Sequence, residues 1–176
     1  FLRTHRETRS TRRDDSVMSP NQILPLKADP EGLAETGAKL WHRLTSDTAG
    51  SGSALPGNTG LDALTTSAMT AEETRPRCTP HGEGALLILR GVNSEHGAAP
   101  EDMVSVRIWL DGSKVVTFQY RNLDVIDVLV REVEAGHGPE TPGDFIVVLS
   151  DRLTDRMEDI IDGIDTELDS LEDTQS

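Results

Sequence analysis

The chain has 176 residues and a formal net charge of −14, from 31 acidic against 17 basic side chains, and 35% of its residues are apolar. Such an excess of carboxylates argues against a nucleic-acid partner, which needs clustered Lys and Arg, and against an anionic membrane surface. It favours cationic partners, either metal ions or a basic protein face. A single cysteine excludes an internal disulfide framework and suits a reducing compartment.

Residues 1–21 read as a flexible arm, with Arg3, Arg6, Arg9, Arg12 and Arg13 among Ser, Thr and Asp and almost no apolar side chain after Leu2. A domain spanning 22–140 follows. It opens with an extended Ile23 to Leu26, a short helix around Glu31 to Thr36 and a strand over Lys39 to Leu44. Residues 46–60, rich in Ser, Gly, Thr, Pro and Asn, form a loop. Helical spacing returns from Leu61 to Glu73, and Thr74 to Gly84 is a polar, proline-punctuated connector.

The centre carries the clearest strand pattern. Ala85 to Arg90 reads as a buried strand, and Asn93 to Pro100 as a loop. Met103 to Leu110 alternates, and Asp111-Gly112 turns it into Lys114 to Tyr120. Asn122 is placed to cap a helix from Leu123 to Ala135 that Gly136 ends. Strands followed by helices predict an α+β fold, a three-layer α/β/α domain with a mostly antiparallel or mixed sheet.

From Thr141 to Ser176 the apolar residues Ile146, Leu149, Leu153, Met157, Ile160, Ile164, Leu168 and Leu171 recur at steps of three and four. That is a heptad-like seam on one long acidic helix. Thr141 can cap it, Pro142 suits its first position, and Asp144 completes a capping-box-like pattern. At about 1.5 Å per residue it reaches roughly 50 Å, longer than a small domain is wide. Neither a glycine cap nor a return helix follows, so the seam reads as a surface awaiting a partner and the chain as a piece of something larger.

Groups with chemistry are few. Cys78 and His81, with Glu83 beyond, offer soft and borderline ligands for zinc, although stable sites take four. His96 and His137 each sit beside a glycine in predicted loops. Between Asp151 and Asp173 ten carboxylates face only Arg152 and Arg156. Among them Asp155, Asp159 and Asp162 are candidate hard-oxygen contacts for a divalent cation, or simply a solvated face. No nucleophile elbow, zinc-protease motif, phosphate loop or dinucleotide fingerprint is present, so enzyme function has little local support.

The segments Ala71 to Arg77, Leu86 to Asn93, Pro100 to Trp109, Thr141 to Phe145 and Asp151 to Met157 together resemble the cytoplasmic domain of CorA-type divalent cation transporters, and within them the zinc-transporting ZntB branch. The resemblance covers Leu61 to about Ser176; before it, only Trp41 falls where the family has an early strand. Gly91-Val92-Asn93 is a coincidental likeness to the family's Gly-Met-Asn signature, because it follows a short apolar strand rather than a membrane span.

The resemblance implies a homopentamer whose α/β/α domain lies at the cytoplasmic face of the inner membrane and feeds long helices. The helix from Thr141 would be the first of these. A return helix, a stalk and two membrane spans would follow beyond Ser176, so membrane contact would come only through those later parts. It implies Zn2+ or Mg2+ as transported or regulatory ion, no required cofactor and no catalysis. Two rival readings stand beside it: an acidic helical protein-interaction module and, less favoured, a soluble hydrolase.

Overall fold

The computed structural model describes residues 21–26, 39–46, 55, 59–72, 75–93, 98–99 and 102–174. The expected arm, the short helix around Glu31 and most of the loop at 46–60 lie outside the described residues, as does His96. Six strands form one sheet: β1 (Asn21–Pro25), β2 (Leu40–Thr45), β3 (Arg77–His81), β4 (Gly84–Val92), β5 (Met103–Leu110) and β6 (Lys114–Gln119). Their order is β1-β2-β6-β5-β4-β3, antiparallel throughout except where β2 runs parallel to β6. The sheet is therefore mixed, as the sequence predicts.

β3 corrects the connector expected at Thr74 to Gly84. Its side chains are exposed at four of five positions, so no apolar alternation marks it. It is an edge strand, which is where a proline such as Pro80 can sit without removing a ladder hydrogen bond. Pro25 occupies the other edge strand, β1, for the same reason.

Helix α1 (Ala63–Met69) covers one face of the sheet. Asp62 caps it, accepting from the Thr65 backbone N–H at 2.9 Å. The helix is shorter than the Leu61 to Glu73 span its spacing suggests. Met69 packs there with Leu86, Trp109, Val116 and Phe118. The other face buries the larger core, under α2 (Asp124–Glu134) and α3 (Pro142–Thr174). Val125, Ile126, Leu129, Val130 and Val133 turn inward from α2 as their spacing requires.

Asn122 does not cap α2. Leu123 holds the N-cap position without a side-chain bond. Asn122 instead accepts from Gln119 Nε2 at 2.9 Å and from Arg43 Nη2 at 3.3 Å, and donates to Asp127. Burial of Arg43 explains the substitution of roles: the residue is 3% exposed and its guanidinium needs several acceptors, of which Asp127 at 2.6 Å is the charged one.

Thr141 and Asp144 do form the expected reciprocal cap of α3, with Asp144 N–H donating to Thr141 Oγ1 at 3.1 Å and that hydroxyl donating to the Asp144 carboxylate at 2.7 Å. The first half of α3 is docked. Phe145 is fully buried edge-on to Trp41, with ring centroids 4.8 Å apart, and Leu149 and Leu153 continue the contact. Gly91 of β4 lets α3 approach, since a Cβ there would meet Leu153 Cδ2 at 2.6 Å.

Candidate functional site

The apolar seam and the carboxylates of α3 occupy opposite sides of one helix. At about 100° per residue, Asp155, Asp159 and Asp162 fall within roughly 60° of each other, and Leu149, Leu153, Ile160 and Ile164 cluster on the far side. All three aspartates are exposed. The two arginines of the acidic stretch turn toward α2. Arg152 holds Glu132 through both carboxylate oxygens at 2.6 and 2.7 Å, and Arg156 reaches Asp124 at 3.3 Å. Arg156 also lies 3.8 Å from Asp159, so one of the three aspartates is partly offset, while Asp155 and Asp162 have no ion pair among the described residues.

Beyond Met157 the helix leaves the domain. Ile161, Ile164, Leu168 and Leu171 are 56, 44, 53 and 61% exposed. Carboxylates spaced along a single helix face do not converge on one point. Among the described residues no group of three His, Cys, Asp or Glu side chains could hold a metal ion. What the stripe provides is negative charge spread along tens of ångströms rather than a chelating point.

Cys78 and His81 are not brought together. Three residues apart on β3, they leave opposite faces of the sheet, about 10 Å apart along the strand, so one zinc ion at 2.0–2.3 Å from each is impossible within one chain. Cys78 is an exposed free thiol. His81 Nε2 lies 3.1 Å from Asp62 Oδ2, and its ring meets Trp109 edge-on. Asp62 is held down to about 2, first by the Thr65 N–H, then by the Thr65 hydroxyl, with His81 a smaller contributor. His137 is exposed after α2.

A second charged feature was invisible in the linear sequence. Arg75, Arg77, Arg90, Arg107 and Arg121, with Glu72, line a depression of about 650 Å³ on the α1 side of the sheet. Register explains the convergence: Arg77 pairs with Ile88, and Ile88 with Arg107, so the two arginines share a face two strands apart. The only signal available beforehand was the run of arginines after Ala71, and strand β3 had to be recognised before that run had a direction.

The family model described as "CorA-like Mg2+ transporter protein" matches residues 37–175. The chain belongs to this family. The "Divalent cation transporter CmaX" of Pseudomonas aeruginosa is 36% identical over 153 residues, 86% of this chain and 44% of that protein. The "Zinc transport protein ZntB" of Yersinia enterocolitica is 26% identical over 144 residues, 82% of this chain and 44% of that protein. The solved full-length CmaX superposes with a TM-score of 0.72 at 29% identity, covering 91% of this chain and 53% of that one. The ZntB cytoplasmic domain of Vibrio parahaemolyticus superposes with a TM-score of 0.63 at 22% identity, over 75% of this chain and 54% of that one, and shares the fold. The chain thus spans less than half the length of the two curated relatives. Among its described residues no helix is long and apolar enough to cross a membrane.

Proposed function

We propose that this chain is the cytoplasmic domain of a divalent-cation transporter that carries Zn2+ or Mg2+ and works as a homopentamer. One observation supports the reading above all: in a chain of the CorA-like family, α3 runs out of the domain with an exposed apolar seam on one side and a carboxylate stripe on the other. A helix so divided stabilises an assembly through its seam and turns its stripe toward a shared aqueous path. Five stripes gathered about one axis would superpose their fields. Cations would be drawn to Asp155, Asp159 and Asp162 with their hydration shells largely kept, as suits Mg2+, which dehydrates reluctantly. Cys78 and His81 would contribute to metal sensing only with ligands supplied by another copy.

The reading requires the gene to continue past Ser176 into two spans of about 20 apolar residues each, and a stop codon soon after that position would overturn it. The decisive measurement is uptake of Zn2+ and of Mg2+ into liposomes carrying the full-length protein. Uptake of one ion with a light-scattering mass of five chains is the expected result, and uptake of neither would refute the proposal. The triple variant Asp155→Asn, Asp159→Asn, Asp162→Asn should slow uptake most at low ionic strength, where fields reach farthest.

A further inference from the structure

Among the described residues two arginines are buried to the same extent, and they are treated differently. Arg43 and Arg107 are each 3% exposed. Arg43 has the Asp127 carboxylate at 2.6 Å. Arg107 has no ion pair among the described residues: its Nη2 donates to the carbonyl oxygens of Ala71 at 2.8 Å and Glu72 at 3.4 Å, its Nη1 to that of Ser105 at 3.3 Å, and its guanidinium lies 4.7 Å from the centre of the Tyr120 ring. Its Nε is buried without a hydrogen-bond partner. A buried cation without a counter-charge is costly, and carbonyl dipoles and a ring face offset only part of that cost.

Arg107 lines the 650 Å³ depression, whose wall also carries Arg75, Arg77 and Arg121. All three are exposed and have no ion pair among the described residues. Among the described residues Glu72 is the one acid of the wall. In a protein of net charge −14, four guanidinium groups here without an ion pair among the described residues run against the whole composition. Guanidinium forks match phosphate oxygens two at a time, and the volume is that of a small-ligand site.

We propose that this depression binds a multiply charged phosphate-type oxyanion, either free pyrophosphate or the polyphosphate chain of a nucleotide. Arg107 forms the floor and supplies a fixed charge, while Arg75, Arg77 and Arg121 close over the remaining oxygens. The proposal stands apart from the transported ion, and would hold whichever cation is carried.

The test is calorimetric titration of the chain, at near-physiological salt, with pyrophosphate, a non-hydrolysable ATP analogue, orthophosphate and adenosine. One saturable site per chain is expected for pyrophosphate, for the analogue or for both, at least tenfold tighter than orthophosphate. Equal affinity for pyrophosphate and the analogue assigns the free anion. A tenfold preference for the analogue, with adenosine silent, assigns the nucleotide. The double variant Arg77→Gln, Arg121→Gln changes exposed residues only and should weaken binding at least tenfold, about 1.4 kcal/mol, with the unfolding midpoint unchanged. Arg107→Lys keeps the charge and loses the planar fork, and should weaken binding in any preparation whose circular dichroism matches the parent. Three results would overturn the proposal: no saturable binding of pyrophosphate or the analogue, binding unaltered in the double variant, or arginine substitutions that change only self-association, which would mark the patch as a contact for another copy's acidic helix.

Discussion

The docking of α3 rests on a close approach that one methyl group should disturb. At Gly91 an added Cβ would lie 2.6 Å from Leu153 Cδ2 and 3.1 Å from Leu123 Cδ2. The first distance cannot be accommodated without moving α3 or the Leu153 rotamer, and overpacking of this kind costs about 1–3 kcal/mol. Leu153→Ala alone removes a side chain only 5% exposed and should cost roughly 2–3 kcal/mol, the lower part of the range for leucine, because it lies where α3 begins to leave the core. In the double variant the new methyl occupies space the leucine vacated. The pair should therefore be less destabilising than the sum by on the order of 1–2 kcal/mol, a coupling well above the scatter of independent sites. Urea unfolding followed by tryptophan fluorescence is the assay, since Trp41 packs edge-on to Phe145 and reports the docked helix directly. Strict additivity of the two substitutions, or a neutral Gly91→Ala, would refute the account of how α3 reaches the sheet.

Four further outcomes can be checked separately. Asp127→Ala should destabilise by roughly 3 kcal/mol in urea unfolding, because Arg43 would remain buried without its carboxylate; a loss below about 1 kcal/mol would contradict that role. Asp62 should titrate near 2 by carboxyl NMR, so its contribution to the α1 cap is complete above the ordinary value of 3.8 and is lost as pH falls through about 2; titration at the ordinary value would refute the Thr65 bonds. Ile164→Ser, Leu168→Ser and Leu171→Ser should change the stability of this chain by no more than about 0.5 kcal/mol each, being exposed, yet weaken association of the full-length protein in light scattering. Cys78→Ser should leave zinc affinity unchanged in a competition titration run at a concentration where light scattering shows single chains, and a tenfold loss there would contradict the separation of the thiol from His81.

What the sequence reveals of this fold depends on whether a residue's surroundings are local. α2 and the start of α3 were legible because periodicity, Thr141, Pro142, Asp144 and Gly136 all act within one or two turns. The hairpin from β5 to β6 was legible through Asp111-Gly112 for the same reason. β3 was not, because an edge strand solvated along its length needs no alternation and its pairing with β4 is a tertiary fact. Asn122 was misassigned because the helix N-terminus competed for it with Arg43, a residue 79 positions away whose burial no local pattern announces. The stripe of Asp155, Asp159 and Asp162 was readable from spacing. The separation of Cys78 from His81 followed only once β3 was known to be a strand rather than a loop.

Net charge matches the sign of one charged surface and is opposite to the sign of the other. The stripe lies on the outer side of α3, and α3 lies across the sheet from the arginine depression. A packed layer is about 10 Å thick, and the Debye length at physiological salt is about 8 Å, so the two fields are largely screened from one another through solvent. They need not cancel. The composition argues against a long polyanion, which would have to pass over many carboxylates while meeting few arginines. It carries no such weight against a small polyanion that touches only the depression. An average over 176 residues describes the approach of a large partner; the affinity of a small one is set by the handful of side chains within its reach.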